Sequence, residues 1–238
     1  MKPDQFIEYY RQGFGERAEL PLVFWYSNEA LALPIKHKGC YIGALKTARE
    51  GEILSSNSEY ISCPGGKLWA GFSSPNPNLP NFISAVERYK KNKNLVEEFI
   101  SPFSIPEKAE KWINFARIDK IDSFKGKEGV IFFATPDILS GLISWCLFDT
   151  NTPDAVSILF GSGCGSIITQ VVSENKNKGK RTFLGMIDPS ARPNVEKDIL
   201  TYAVPIDRFV EMCSSITETF LIKSTKDWQR IKERIDHE

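Results

Sequence analysis

The chain has 238 residues, 42% hydrophobic and 25% charged, and its 30 basic and 30 acidic side chains leave a net charge of zero. That composition belongs to a soluble globular protein with enough apolar residues for one large core or two small ones. It excludes nucleic acid as the main partner, because such binding draws most of its affinity from neutralising phosphates. The longest apolar stretches, 130–134 and 138–148, are too short to span a bilayer, which excludes the membrane.

In chain order, residues 3–14 predict an amphipathic helix, with Pro3 near its first turn and Gly13 and Gly15 near its end. Residues 20–27 (LPLVFWYS) predict a buried strand, and 28–38 a loop. Gly39-Cys40 then opens a second helix. Residues 59–63 (EYISC) read as a short strand that stops at Pro64-Gly65-Gly66, and 67–72 as one helical turn. Residues 73–80 (SSPNPNLP) form a break, followed by helices over 81–92, 95–100 and 107–113. The segments 115–121 and 129–134 flank a charged turn and are expected to pair as an antiparallel hairpin.

From there the pattern is regular. Thr135 is the expected cap of a helix that starts at Pro136, runs through 137–148 and is apolar almost all round, hence buried. Residues 155–160 predict a strand, 161–166 (GSGCGS) a Gly-rich turn, 167–174 a helix and 182–188 a strand. A strand over 201–205 and helices over 206–216 and 226–235 complete the chain. Strands alternating with helices give an α/β or α+β class built around a mixed sheet.

The order helix, strand, Gly-Cys helix, strand occurs twice, over 1–72 and 134–190. Cys40 plus 23 is Cys63, and Cys164 plus 23 is Ile187, each near a strand end. The expectation is therefore one domain over 1–238, made of two related units. A helical and hairpin insertion at 73–133 separates them, and a C-terminal strand and helices follow at 191–238. If a pseudo-two-fold axis relates the units, the two Gly-Cys turns are equivalent places beyond the strand ends, where ligands of open α/β sheets gather.

The five cysteines, Cys40, Cys63, Cys146, Cys164 and Cys213, make no CxxC, and with only His37 and His237 no zinc-finger spacing exists. Their odd, scattered arrangement predicts reduced thiols and a cytoplasmic location, as does an N-terminus with neither an apolar run nor a cleavage site. Cys40 and Cys164 sit at expected helix starts, where free N–H groups and the dipole favour a thiolate. The competing reading makes each a small buried residue under a tight turn. The glycines of 161–166, Gly163 among them, suit either an anion held by backbone N–H groups or close packing of helix on strand. Gly65 and Gly66 allow close approach to a ligand beside Cys63. Arg192 offers a grip on a carboxylate or phosphate, or else pairs with Asp188. Cys40 and Cys63, with Cys164 in reach, form a candidate soft-metal set without specific spacing. Cys146 and Cys213 read as core, and Trp25, Trp69 and Trp112 as aromatic core or stacking surfaces.

The ordered set of Gly-Cys before a helix, Cys63-Pro64-Gly65-Gly66, a Gly-rich turn before a helix, 184–193 (LGMIDPSARP) and 200–212 (LTYAVPIDRFVEM) resembles one family over about residues 15–220. It is similar to the ArCR proteins grouped as Domain of Unknown Function 169, with Cys40, Cys63, Gly65, Gly66, Arg192 and Pro205 as the matching positions. The resemblance implies a bacterial or archaeal cytosolic protein with no settled activity and no catalytic residue to carry over. Many members hold the second cysteine further into its helix, so Cys164 departs from the pattern.

Three functions follow as expectations. The first is binding of a small anionic ligand, a metal or a metal-containing cofactor near the two Gly-Cys turns, through Cys40, Cys63, Gly65, Gly66, Gly163, Cys164 and Arg192. The second is an enzyme using a thiolate or the Cys40/Cys63 redox pair, with no well-placed histidine as base. The third is a structural protein whose cysteines are all core. The partner classes left open are a small molecule and a second copy of the chain.

Overall fold

The computed structural model describes residues 1–101, 105, 111–159, 161 and 163–237. Its strands are β1 (Leu22–Ser27), β2 (Leu54–Ser56), β3 (Trp112–Arg117), β4 (Gly129–Ala134), β5 (Val156–Ser157), β6 (Thr182–Gly185) and β7 (Leu200–Pro205). The helices are α1 (Pro3–Phe14), α2 (Tyr41–Arg49), α3 (Pro64–Trp69), α4 (Leu79–Asn81), α5 (Lys93–Ile100), α6 (Pro136–Cys146), α7 (Gln170–Lys176), α8 (Ile206–Ser215), α9 (Phe220–Lys223) and α10 (Lys226–His237). Among the described residues the strands form one mixed sheet of seven, in the order β2-β3-β1-β4-β7-β6-β5. Each neighbouring pair is antiparallel except β5 and β6. The fold is therefore the expected mixed α/β class.

Alternation along the central strands builds two cores. Val23, Val130, Phe132, Tyr202 and Val204 face one side, where α1, α6, α8, α9 and α10 cover them. Leu22, Phe24, Ile131, Phe133 and Ala203 face the other, under α2, α3 and α7. Strands buried on both faces need helices on both, which gives three layers. The first core is aromatic: Phe6 meets Phe209 edge-on with centroids 4.9 Å apart, and Phe14 meets Trp228 at 5.5 Å. The polar tips of that core find partners. Trp145 Nε1 donates to the Met212 carbonyl at 3.0 Å and Trp228 Nε1 to the Gly13 carbonyl at 2.8 Å. Cys146 and Cys213 are buried here.

Several local expectations shift. The segments 115–121 and 129–134 do not pair with each other. β1 lies between them, bonded to β3 along its full length and to β4 at Leu22–Phe24. A strand apolar on both faces of its pleat takes the centre of a sheet, and the two later strands flank it, so 73–133 contributes core strands rather than an appended hairpin. The expected strand at 59–63 moves upstream to β2, leaving Ile61 one isolated bridge to His37. β2 hides in the sequence because it is polar. The Ser55 hydroxyl donates to Asn114 Oδ1 at 2.7 Å and accepts the Leu31 N–H at 2.9 Å, so buried polar groups replace the apolar signal. Of the expected strand at 155–160, Phe160 lies outside the described residues, and among the rest Val156 and Ser157 form β5. The helix expected over 81–92 is shorter: α4 continues as a π turn over Phe82–Val86, and the chain turns at Arg88, whose φ is 61°. Most of the expected helix over 107–113 lies outside the described residues, and Trp112 and Ile113 already belong to β3. Thr135 occupies the cap position of α6, but its hydroxyl makes no capping bond. That helix ends at Cys146, with Leu147 and Phe148 exposed. Among the described residues no helix is long and apolar enough to cross a membrane.

The element order α1-β1-α2-β2 does recur as α6-β5-α7-β6. The places differ, because β1 is central while β5 is a two-residue edge strand. In sheet position, β1-β3-β2 instead mirrors β4-β7-β6 about the antiparallel β1/β4 pair, with α2 and α7 each leading to the mirrored strand.

Helix α7 rests on the sheet at Gly129, where an added Cβ would lie 2.4 Å from Val171 Cγ1 and 2.9 Å from the Val204 carbonyl oxygen. The substitution Gly129→Ala should therefore destabilise the fold by about 1–3 kcal/mol, read as a lower urea midpoint with an unchanged slope.

Candidate functional site

The site grows from three chain corners on the α2/α3/α7 side of the sheet. Gly39 has φ 92°, which turns the chain so that Cys40, extended at φ −68° and ψ 135°, becomes the N-cap of α2. Cys63 is the N-cap of α3, whose first residue is Pro64, and its sulfur accepts the Gly66 N–H at 3.4 Å. Gly66 brings the two corners together. A Cβ there would stand 2.8 Å from Tyr41 Cβ and 2.9 Å from Ile61 Cγ2, so only glycine lets α3 start against the first turn of α2. The third corner carries Gly163 and Cys164 ahead of a π turn at Gly165–Thr169 that runs into α7. The Thr169 hydroxyl donates to the Trp69 carbonyl at 2.6 Å and ties this corner to the end of α3.

A cavity of about 720 Å³ opens between these corners and the segment carrying α4, the π turn and α5. Cys40, Cys63 and Cys164 line its sulfur-bearing side, and Leu79, Phe82, Ile83, Val96 and Phe99 form the facing wall. Ser62, Asn76, Asn78, Glu87, Tyr89, Lys90, Asp188 and Ser190 are polar residues of the lining. Cys40 and Cys63 are half-buried, whereas Cys164 is buried.

The thiols differ in acidity for identifiable reasons. Cys63 is pulled down to about 5 by the thiol hydrogen of Cys40, against the cost of burial, with help from the N–H groups of Gly66, Tyr41 and Gly65. Cys40 moves far up, first because it holds the proton shared with Cys63, then because it is buried and lies near Cys164. The two thiols move in opposite directions, which favours the charge on Cys63 and the proton on Cys40. Burial also pushes the Cys164 thiol up, reinforced by Cys63 and Asp188. Glu87 rises through burial and the neighbouring Asp188 charge.

The second Gly-Cys turn already contains its own anion. Asp188, 4% exposed, accepts the Gly163 N–H at 3.1 Å through Oδ2, and the Ser190 N–H at 2.9 Å and hydroxyl at 2.8 Å through Oδ1. Gly163 also packs closely, with room for a Cβ only 2.8 Å from Ala191 Cβ. Of the expected site residues, the structure brings Cys40, Cys63, Gly65, Gly66, Gly163 and Cys164 to one cavity and leaves Arg192 out. The Arg192 guanidinium donates to the backbone carbonyls of Ile199, Lys197 and Glu196 and closes that turn instead of gripping a ligand or Asp188. His37 lies against Gly43 on α2, outside the lining. Trp69 does line the cavity, while Trp25 packs under Lys127 and Trp112 beside Tyr60. Among the described residues no three His, Cys, Asp or Glu side chains are grouped to hold a metal, so Cys40 and Cys63 stand as two sulfurs without a third ligand. Sequence reasoning missed the wall at 79–99, and Glu87 with it. Its signal was the apolar spacing Leu79, Phe82, Ile83, Val86, which also describes an ordinary amphipathic helix.

The sequence model of the uncharacterised ArCR family, Domain of Unknown Function 169, matches residues 17–215. The chain belongs to the ArCR family. The matched span holds all three corners of the cavity and the wall that faces them. No curated protein and no solved structure matches this ArCR chain.

Alkylation by iodoacetamide reads the asymmetry of the thiols. In the intact protein Cys63 should react at half its maximal rate near pH 5 and level off by neutral pH. In Cys40→Ala the midpoint should move up by at least about one pH unit, because the proton donor that stabilises the thiolate is gone. Peptide mapping of the labelled protein checks both.

Proposed function

We propose that this protein binds a small molecule with an apolar body in the cavity and holds its soft or electrophilic centre against the Cys63 thiolate. The observation that carries this reading is the position of Cys63, half-buried in the lining of a cavity of about 720 Å³ that Leu79, Phe82, Ile83, Val96 and Phe99 also line. Cavities of that size and lining suit small organic ligands. Charge narrows the class. The thiolate and the carboxylates of Asp188 and Glu87 face the space together with Lys90, and the Arg192 guanidinium is engaged elsewhere. A neutral or cationic ligand therefore fits better than the anion expected from the sequence, because an added negative charge meets like charges in a poorly solvated place. Apolar walls also strengthen the contact with the sulfur by keeping water from competing for it.

The cysteines divide accordingly. Cys146 and Cys213 serve packing, Cys164 lines the cavity as a buried thiol, and Cys40 and Cys63 meet the ligand. A soft metal ion or metal-bearing group would find two sulfurs here and would have to bring its remaining ligands with it.

Binding of the neutral dye Nile red tests the cavity without presuming the natural ligand. The wild-type protein should enhance its fluorescence with saturation, and Ile83→Trp, which fills the space from the wall, should weaken binding at least about tenfold with an unchanged circular dichroism spectrum. Equal binding by both proteins, or none by either, would remove the proposal.

A further inference from the structure

We infer that Cys63 and Cys40 carry out thiol–disulfide exchange on a small, apolar-bodied disulfide that enters the cavity, with Cys63 as the attacking sulfur and Cys40 as the resolving one. The inference rests on the ligand-binding reading above and names the chemistry that reading permits. Two thiols lie side by side at the wall of one cavity, both half-buried, on corners that Gly66 locks together. The Gly66 N–H donates to the Cys63 sulfur at 3.4 Å, where Cys63 caps α3, while the Cys40 side chain makes no capping bond on α2. That difference favours the charge on Cys63 and makes it the attacking sulfur.

The steps balance within the pair. The Cys63 thiolate attacks one sulfur of the substrate disulfide, the S–S bond breaks, and a mixed disulfide forms as one thiolate leaves. The Cys40 thiol gives its proton to that leaving thiolate. Cys40 held its proton because an anionic sulfur stood beside it, and the mixed disulfide has no such charge. The Cys40 thiolate left by that transfer attacks the Cys63 sulfur, which closes a Cys40–Cys63 disulfide and expels the second half of the substrate as a thiolate. Two electrons pass from the cysteine pair to the substrate, and an external dithiol returns the protein to its starting state. No histidine is needed, because the proton donor is the resolving thiol itself. Cys164, buried in the lining, stays protonated and takes no part.

The aromatic disulfide 4,4′-dithiodipyridine tests this on the full-length, reduced protein. The wild type should release two equivalents of thiopyridone in a fast phase, and its intact mass should show two hydrogens lost and no adduct. Cys40→Ser should release one equivalent and keep a pyridylthio group on Cys63, and Cys63→Ser should lose the fast phase. A wild-type protein that keeps the adduct on Cys63, or a Cys40→Ser variant that releases two equivalents as quickly as wild type, overturns the inference. The wild-type mass alone decides the point if a variant fails to fold. The concentration dependence separates the two readings. A two-equivalent rate that rises linearly without saturation would leave the exchange standing and remove binding in the cavity. A saturating rate with only one equivalent released would do the reverse.

Discussion

The central strands are apolar on both faces of their pleat, and the rest of the molecule answers to that constraint. β1 and β4 place Leu22, Phe24, Ile131 and Phe133 on one side and Val23, Val130 and Phe132 on the other. Both sides must be covered, and each helix layer is pinned by what it covers. On the aromatic side the cover is dense, with α1, α8 and α10 interlocked through Phe6, Phe14, Phe209 and Trp228. On the other side α2, α3 and α7 leave a gap beyond their first turns, which residues between Asn76 and Phe99 also line. The cavity is therefore what remains when helices that fit the sheet do not quite fit one another.

The acidity of Cys63 depends on that same imperfect closure. A sulfur wholly buried among side chains is pushed up, as Cys164 and Cys213 are. A fully exposed one gains little from oriented N–H groups, because water competes for them. Cys63 lies between the two, close enough to backbone donors and to the Cys40 thiol for its charge to be held, and open enough to meet a ligand. Asp188 stands at the Gly163–Cys164 corner, and burial together with its charge raises Glu87, so the cavity is acidic as well as sulfur-bearing.

The sequence carried the frame better than the fittings. Helices with clear periodicity and a proline at the start, such as α1 and α6, stand where their pattern places them. Cys40 and Cys63 were legible as a pair because a glycine or proline beside each marked a change of direction. What failed was pairing and polarity. Which strand neighbours β1 depends on contacts 95 residues away, from Leu22 to Arg117, and no local pattern encodes it. β2 escaped notice because two serines, Ser55 bonded to Asn114 and its neighbour Ser56, took the place of apolar residues. Arg192 misled in the opposite sense: a lone arginine after a strand end looks the same whether it awaits a ligand or, as here, satisfies the carbonyls of its own turn.

Each mirrored half places one acceptor over the start of a helix on the ligand side, the Cys63 sulfur over Tyr41 and the Asp188 carboxylate over Gly163. The two acceptors differ in permanence. A carboxylate keeps its oxygens through any encounter with a thiol-reactive molecule, while a sulfur that forms a bond gives up its charge and with it much of its hold on the N–H donor beside it. The join between α2 and α3 is thus a fastening whose tightness follows the chemical state of one atom. The Asp188 corner is riveted, and whatever reacts with Cys63 also slackens the frame that surrounds it.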